Sequence, residues 1–554
     1  MQNNSRSTAC QLAALVVGLM LDVSTASANP AAAADEIQHQ IRRGETLYSI
    51  AAEQLALPGD WAALQKLNQI RHPRRLQPGS HLRIPLAWMR QTPSQAEVVF
   101  VQGLCWVRRS GQATAEAAVA GTVVRGSDSV RTEPGASMTL RFADGSRLLV
   151  VPGTEFVVER LALYGQAATP GTRLRLTAGK LETQVATRPG KTTRFEIQTP
   201  AVNLGVRGTE FRTHIDPADG STRFEVLAGR VAGTAPAGTL TLDAGFGAVA
   251  RPGMALTAPQ PLLGAPDLSA VPSLLDRVPL RLAWPPLAGA TAFRAQVFAA
   301  ESADRLLLDG VFTAPAARWI DLPDGRYTLR VRALDGQSLE GLNASAGFTL
   351  KARPEPPFTR QPAPQAKVYG ELAQFAWVRS SVATAYRLQV ATQADFKAPV
   401  FDRADIVATE AQLPLAPGLY HWRVATIAAG QDQGPFSDAQ PFEQRAVPVS
   451  PTPEPPALDD AGLVFRWKAP EAGQKVQFQV ASDAAFAQIV LDQLTDGPQG
   501  LLPAPAPGPY FLRVRTVDAD GFKGNFGAAQ QIDVPPPPPN WWLLLPFGLI
   551  LLML

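Results

Sequence analysis

The sequence predicts a multidomain, mainly β protein: a small βααβ module, a β-rich domain, three tandem β-sandwich repeats and a short hydrophobic C-terminal tail. Three observations support this prediction. The chain has 554 residues, several times the ~100–150 residues of a usual domain. Alternating apolar and polar residues recur over much of its length, and three segments share landmarks at the same spacing. The hydrophobic share of 46% is enough to form several cores, and the charged share is only 18%.

Residues 1–28 have the pattern of a signal peptide. A polar start is followed by an apolar stretch from Leu12 to Leu21 and by Ala26-Ser27-Ala28, the small-x-small pattern that signal peptidase cleaves. The alternative is an uncleaved anchor, but the apolar stretch is well short of the ~20 residues that span a bilayer. Either version places the rest of the chain outside the cytoplasm, so we expect a periplasmic protein.

Residues 37–86 show a βααβ pattern. Each predicted helix has helical spacing of its apolar residues, and Asn68 is expected to end the second helix. The predicted elements are strands at Ile37–Ile41 and His81–Ile84 and helices at Thr46–Gln54 and Asp60–Leu67.

Residues 96–258 have the alternation of β-strands without a long helical period. Met138–Phe142 alternates apolar and polar residues, Asp144-Gly145 supplies a hairpin turn, and Leu148–Val151 returns. Two further hairpins are predicted at Leu174–Val185 around Ala178-Gly179 and at Glu210–Val226 around Asp219-Gly220. Cys105 is expected to be a packed strand residue, and it would be the one cysteine left after cleavage at residue 28.

Residues 277–535 contain an internal repeat in three copies, at 277–352, 366–445 and 457–535. In each copy a tryptophan precedes a Gln-Val pair by 12 residues and a tyrosine by 43. The tryptophans are Trp284, Trp377 and Trp467, and the tyrosines are Tyr327, Tyr420 and Tyr510. A buried Trp on a middle strand and a Tyr that opens a late strand resemble the immunoglobulin-like, fibronectin type III-like sandwich. Another tryptophan-cored β repeat is the alternative.

Proline-rich joints separate the repeats, at 353–358 and at 448–456. Such segments favour extended geometry, so we expect the tandem to form a stalk. The tail at 541–554 is uncharged and follows five prolines, Pro535–Pro539. A helix of this length would reach roughly 21 Å, short of the ~30 Å hydrocarbon core. Because Trp541-Trp542 suits a membrane interface, membrane contact is expected, with a buried C-terminal segment as the alternative.

Composition and motifs exclude several classes of function. A net charge of +3, spread over the whole chain, does not favour a nucleic-acid partner. The five histidines are scattered, and no nucleophile elbow or phosphate-binding glycine loop stands in a suitable context. We therefore predict a non-catalytic protein without cofactor or metal. A cell-wall-modifying enzyme with an unrecognised site is the alternative.

Three motifs within 37–86 resemble the LysM family along its full length. They are His39–Ala51 (HQIRRGETLYSIA), Leu64–Asn68 (LQKLN) and Gly79–Pro85 (GSHLRIP). Two departures stand out: Glu45 occupies a position where Asp is usual, and the arginine-rich segment Arg71–Arg75 fills the loop before the last strand.

The resemblance to LysM implies a ligand. Members of that family bind N-acetylglucosamine-containing glycan in a shallow groove, so the implied partner is peptidoglycan. The implied groove residues are Gly44, Glu45, Thr46 and Leu47 on one wall and Asn68, Gln69 and Ile70 on the other. Backbone groups and short polar side chains can hydrogen-bond acetamido and hydroxyl groups, while Leu and Ile contact the methyl. The alternative is that Gly44–Thr46 only caps a helix.

Residues 96–232 resemble the periplasmic domain of the FecR family. The motifs are Gly126–Thr132 (GSDSVRT), Leu140–Ser146 (LRFADGS), Leu174–Gly179 (LRLTAG), Phe195–Pro200 (FEIQTP) and Gly205–Phe211 (GVRGTEF). The last motif is predicted to be a turn between strands, in which Gly205 and Gly208 permit positive φ. Arg207 has either a structural or a recognition role.

Known FecR regulators receive a periplasmic signal and control a sigma factor through a cytoplasmic helical domain. Only a short polar stretch precedes the apolar segment here, so we expect only the sensing or docking half of that role, with an unidentified envelope protein as partner. The first hypothesis is a peptidoglycan-bound scaffold. The alternative is an accessory of envelope signalling.

Overall fold

The computed structural model describes residues 36–166, 168–186, 194–206 and 208–536. The predicted signal peptide at 1–28, Arg207 and the tail at 541–554 lie outside these residues. The described chain is mainly β, as predicted, and divides into two compact units, Met1–Leu350 and Lys351–Leu554. Within the described ranges, no helix is both long enough and apolar enough to cross a membrane.

The N-terminal module (residues 36–89) has the predicted βααβ order. Its two strands pair antiparallel, with Ile37 opposite Ile84. The helices lie against this ribbon, and Ile50 and Leu64 are fully buried between them. The elements are β1 (Glu36–Gln40), α1 (Leu47–Gln54), α2 (Trp61–Leu67) and β2 (His81–Pro85), with 3-10 turns at Pro58–Asp60 and Leu86–Trp88.

The barrel domain (residues 91–261) is a closed arrangement of strands around one apolar core. Its strands are β3 (Gln91–Pro93), β4 (Gln95–Gln102), β5 (Cys105–Arg108), β6 (Ala115–Ala117), β7 (Val123–Arg125), β8 (Ser129–Thr132), β9 (Ser137–Phe142), β10 (Arg147–Val150), β11 (Glu155–Tyr164), β12 (Thr169–Gln184), β13 (Arg194–Gln198), β14 (Asn203–Val206), β15 (Glu210–Ile215), β16 (Thr222–Ala228), β17 (Arg230–Ala235), β18 (Gly238–Asp243), β19 (Phe246–Ala250) and β20 (Gln260–Pro261). These strands extend beyond both ends of the predicted range 96–258. Cys105 is buried in this core, as expected.

The long strand β12 belongs to two sheets. Its first half pairs with β11 and β13, and its second half pairs with β10 and β15. The prediction of a hairpin at Leu174–Val185 is therefore wrong. Gly179 has φ +82°, and a Cβ there would lie 2.5 Å from Thr154, so this glycine allows a bend inside one strand where the prediction placed a turn.

The other predicted turns of the barrel domain differ in outcome. The β9–β10 and β15–β16 hairpins form as predicted, with positive φ at Gly145 and Gly220. Gly208 also has positive φ, at 57°. Gly205 does not, because it lies inside β14, paired with Glu196 and with Ala232. The predicted turn is therefore wrong at Gly205, which belongs to a strand.

Each of the three repeats consists of two sheets, which confirms the predicted β-sandwich architecture. In the third repeat, for example, a three-stranded sheet accompanies a four-stranded sheet. The first repeat has β21 (Leu274–Leu275), β22 (Leu280–Ala283), β23 (Ala292–Ala299), β24 (Leu306–Phe312), β25 (Ala316–Trp319), β26 (Gly325–Leu334) and β27 (Ala344–Leu350). The second has β28 (Thr359–Gln361), β29 (Ala366–Tyr369), β30 (Leu372–Trp377), β31 (Ala385–Ala391), β32 (Phe401–Ile406), β33 (Glu410–Pro414), β34 (Gly418–Ala428), β35 (Asp432–Phe436) and β36 (Gln440–Arg445), and a 3-10 turn at Ala429–Gln431. The third has β37 (Ala457–Asp459), β38 (Gly462–Arg466), β39 (Lys475–Ala481), β40 (Ile489–Thr495), β41 (Gln499–Pro503), β42 (Gly508–Val517) and β43 (Gln530–Val534).

The repeated landmarks occupy equivalent places in the three sandwiches. All three tryptophans are buried. Each tyrosine hydroxyl donates to the backbone carbonyl four residues earlier, over 2.6 Å for Tyr327 and 3.1 Å for both Tyr420 and Tyr510. This bond anchors the loop before the strand that the tyrosine opens, which explains why the spacing is kept.

Candidate functional site

The two predicted walls of the groove are neighbours in the N-terminal module. The backbone N–H of Leu47 donates to the carbonyl oxygen of Pro73 over 3.0 Å, which joins the start of α1 to the loop between α2 and β2. Gly44 lies at the rim with φ +90°, exposed to solvent, and nothing would lie within 4 Å of a Cβ built there. The site is an exposed surface where these two loops meet.

Glu45 is held by its own loop. Its carboxylate accepts from the backbone N–H of Arg42 over 2.8 Å, and it lies 2.9 Å from Nε2 of His39. Partial burial raises the pKa of Glu45, but these two hydrogen bonds outweigh it and lower the pKa below the ordinary value. The side chain therefore shapes the turn before α1, and it remains partly exposed at the groove.

Thr46 caps α1. Its hydroxyl accepts from the backbone N–H of Ser49 over 3.1 Å, and the Ser49 hydroxyl accepts from the backbone N–H of Thr46 over 2.9 Å. Leu47 is fully buried in the core of the module. The expectation that the Leu47 side chain contacts a sugar is therefore wrong, because at the first position of α1 this side chain points to the same face as Ile50 and Ala51.

The second wall is formed by the end of α2. The Asn68 amide donates to the carbonyls of Leu64 and Arg83 over 3.0 and 2.8 Å and accepts from the backbone N–H of Arg83 over 2.7 Å. Its side chain thus ties α2 to β2. Gln69 has φ +52° and is exposed, whereas Ile70 is half-buried against the core. Gln69 is the member of this wall that is most available to a ligand.

A second feature, which the sequence did not indicate, is a buried charge cluster between the barrel domain and the first repeat. Glu340 lies at its centre. Its carboxylate accepts from Nε of Arg294 over 2.7 Å and from Nε of Arg332 over 2.5 Å, and it contacts the Lys180 ammonium. On the barrel side, Glu182 contacts Arg332 and accepts from the Gln296 amide over 2.9 Å.

Burial and proximity shift the pKa values in this cluster. Burial, together with the nearby Arg332, lowers the pKa of Lys180 to about 7. Burial raises the pKa of Glu340, but Arg332 and Lys180 outweigh this effect and hold it well below its usual range. Opposite charges from two domains are thereby paired in a buried environment. The barrel domain and the first repeat share a specific ionic contact.

The barrel domain also has an open cleft of about 380 Å³. Trp106, Arg108, Arg131 and Glu155 are among its lining residues. The indole N–H of Trp106 donates to Glu133 over 3.1 Å, which orients the ring. Tryptophan and arginine are enriched in the contact surfaces of proteins, so this cleft is a candidate surface for a protein partner.

Comparison with protein families identifies two segments. Residues 39–85 match the family model described as LysM domain, and residues 128–232 match the model described as FecR protein. No curated protein matches the chain.

Several solved structures are similar to parts of the chain. A candidate anti-sigma factor from Parabacteroides distasonis ATCC 8503 is 16% identical, with a TM-score of 0.20, over 24% of this chain and 59% of that one. The chain thus spans less than two thirds of that structure's length. The FN1-FN3 domains of chicken CNTN1 are 14% identical, with a TM-score of 0.23, over 50% of this chain and 98% of that one. The fibronectin(III)-like modules of Clostridium thermocellum CbhA are 13% identical, with a TM-score of 0.23, over 32% and 93%.

The two family models coincide with structural units that are already defined by their own cores. The LysM match spans the βααβ elements of the N-terminal module, and the FecR match lies within the barrel domain. Residues 39–85 thus match the LysM domain and residues 128–232 match the FecR protein family, and three β-sandwich repeats follow in the chain.

Proposed function

We propose that this protein is a non-catalytic component of the bacterial periplasm that binds peptidoglycan through its N-terminal module. The LysM match over residues 39–85 carries the proposal. The open surface between the α1 start and the α2 end supports it, because a glycan strand needs a shallow, accessible groove with backbone and amide groups. The barrel domain and the three repeats then present surfaces to other envelope proteins.

Binding to purified sacculi tests this proposal. The full chain with Gln69→Trp should lose retention on sacculi, because a bulky ring at this exposed position of the groove obstructs a ligand. Gln38→Trp is the matched control, since Gln38 is exposed on β1 outside the groove walls. Equal retention of both variants and of the unchanged chain would exclude binding through this groove.

The absence of catalysis is tested with the same material. Incubation of the full chain with sacculi should release no soluble muropeptides. Release of such products would contradict the non-catalytic role and favour a cell-wall-modifying enzyme.

An accessory role in envelope signalling is the second candidate, and the FecR match and the Trp106 cleft favour it. In this role the barrel domain docks an envelope protein at the cleft. A photoreactive residue at Arg108, which is exposed at the cleft, should crosslink to an envelope protein of the same cell. The same residue at the exposed Arg251 serves as the control, and equal crosslinking from both positions would contradict docking at the cleft.

A further inference from the structure

Five exposed arginines border the candidate groove. Arg42 and Arg43 lie in the loop before α1, and Arg71, Arg74 and Arg75 lie in the loop between α2 and β2. The hydrogen bond from Leu47 to Pro73 joins these two loops, so the arginines come from neighbouring segments. We call this set the arginine surface.

The arginines of the second loop have no role in folding that loop. Ile70 and Leu76, at its two ends, pack against the core of the module. Pro73 is fixed through its carbonyl oxygen, and the His72 carbonyl accepts from the N–H of Arg75 over 3.0 Å. Apolar packing and backbone bonds thus define the loop, while its arginine side chains extend into solvent.

These guanidinium groups also lack close acidic partners, although Arg42 interacts electrostatically with the Glu45 carboxylate. Within the described residues, none of the five arginines forms an ion pair. Arg83 of the same module differs, because it lies 3.9 Å from Glu36 and donates to the Leu67 carbonyl over 3.0 Å. The nearest carboxylate in the groove wall, that of Glu45, is already hydrogen-bonded to His39 and to the backbone of Arg42. The groove is therefore bordered by excess positive charge, above all from Arg71, Arg74 and Arg75 of the second loop.

A neutral glycan has no charged group that could pair with such a surface. Guanidinium groups pair with carboxylates through two parallel hydrogen bonds, and an exposed cluster of them favours a ligand with several spaced negative charges. In peptidoglycan these charges are the carboxylates of the peptide stems, which branch from the glycan strand at regular intervals. The position of these five arginines beside the groove fits a ligand that is glycan and anionic peptide at once.

We propose that the arginine surface binds the carboxylates of peptide stems attached to the glycan strand in the groove. This inference rests on the proposed peptidoglycan binding and adds a specificity: the module distinguishes peptide-bearing from peptide-free glycan. Recognition of the stems is electrostatic and is therefore weakened by salt.

The test compares two ligands and two variants of the full chain. The ligands are intact sacculi and stripped sacculi, which are the separate glycan strands left, and then immobilised, after an amidase has removed the peptide stems. The first variant carries Arg71→Gln, Arg74→Gln and Arg75→Gln. The control carries Arg251→Gln, Arg281→Gln and Arg318→Gln, three exposed arginines outside the module with the same loss of charge.

The first variant should bind intact sacculi roughly tenfold more weakly than the unchanged chain, the combined effect of three exposed charge pairs. Its binding to stripped sacculi should equal that of the unchanged chain, and raised salt should abolish the difference on intact sacculi. The control variant should bind both ligands normally. An unchanged thermal unfolding midpoint verifies that the substitutions leave the fold intact.

Three outcomes would overturn the inference, and they differ in what they imply for the proposed function. Equal binding of the first variant and the unchanged chain to intact sacculi refutes recognition of stems and leaves glycan binding in place. An equal loss of binding to both ligands would show that the arginines contact the glycan itself. Failure of the unchanged chain to bind either ligand rejects the proposed function, and the inference with it.

Discussion

Removal of the Glu340 carboxylate should separate the barrel domain from the first repeat. Glu340 contacts Lys180, Arg294 and Arg332 in a buried environment, so the Glu340→Ala variant leaves these cations without their shared partner. Breaking a buried ion pair by removing one member costs about 3–5 kcal/mol. We expect a loss of this size in the free energy that protects the contact from opening.

Hydrogen exchange of the full chain, resolved by peptide, measures this loss. Amide protons exchange through local openings whose free energies range from zero to the global stability. Peptides from β12 in the barrel domain and from β26 in the first repeat should lose protection together in Glu340→Ala. Glu301→Ala is the control, because Glu301 is exposed and lies 3.7 Å from Arg305 in a pair of little energetic weight.

Two results would refute this reasoning. A decrease of less than about 1 kcal/mol in the free energy of opening would show that the desolvation cost of the cluster cancels its electrostatic attraction. A loss confined to β26, with β12 unaffected, would show that the cluster stabilises the first repeat alone. Glu340→Gln then separates charge from shape, since an amide keeps the volume but cannot compensate three cations.

Three further predictions concern pH and individual side chains. Burial lowers the pKa of His214 from 6.5 to about 4, so the unfolded state binds more protons between these values. The barrel domain should therefore lose stability as pH falls from 6.5 to 4, and thermal unfolding of His214→Gln should show a flatter pH profile; equal profiles would contradict this. The Tyr369 ring stacks on Phe522 at 3.7 Å and its hydroxyl donates to Asp518 over 2.5 Å. Calorimetry of Tyr369→Ala should show the second and third repeats unfolding separately, and an unchanged profile would argue against their coupling. Asn68→Ala should cost the N-terminal module about 1–2 kcal/mol in hydrogen exchange through its lost hydrogen bonds, whereas full protection would show that solvent replaces them.

The N-terminal module was predictable because its signals are local. Apolar spacing and a capping threonine define α1 to within one residue of the prediction. The same spacing also contains the information that Leu47 is buried, since Leu47, Ile50 and Ala51 lie on one helical face. The prediction that Leu47 contacts a ligand followed the family resemblance and neglected this helical phase.

The two wrong predictions in the barrel domain concern Gly179 and Gly205, whose backbone conformations depend on tertiary contacts. A glycine after a small residue is compatible with a turn, a bulge or a bend inside a strand. At Gly179 the close approach of Thr154 selects the bend, and Thr154 lies in a loop far away in the sequence. At Gly205 the pairing with β13 and β17 selects an extended backbone. Neither contact leaves a pattern in the local sequence.

The buried charge cluster could not be predicted from local sequence patterns, because its members come from distant parts of the chain. Lys180 and Glu340 are separated by 160 positions, and each looks like an ordinary surface charge in its own strand or loop. The three repeats differ in one contact that belongs to this cluster. Arg423 and Arg513 donate to the glutamines of their own repeats, Gln389 and Gln479. In the first repeat the equivalent Gln296 accepts from Arg332 of its own repeat and also donates to Glu182 of the barrel domain.

The groove residues divide into those that build the module and those that remain available to a ligand. Thr46 caps a helix, Leu47 fills the core, Asn68 joins α2 to β2, and Ile70 packs beneath the loop. Substitution of any of these four would change the fold before it changed binding. Ligand selectivity must then depend on the rim, where Gly44, Gln69 and the arginine surface are exposed. Because the segment Arg71–Arg75 of this rim departs from the LysM pattern, we expect its arginines to distinguish the ligand preference of this module, if the module binds peptidoglycan as proposed.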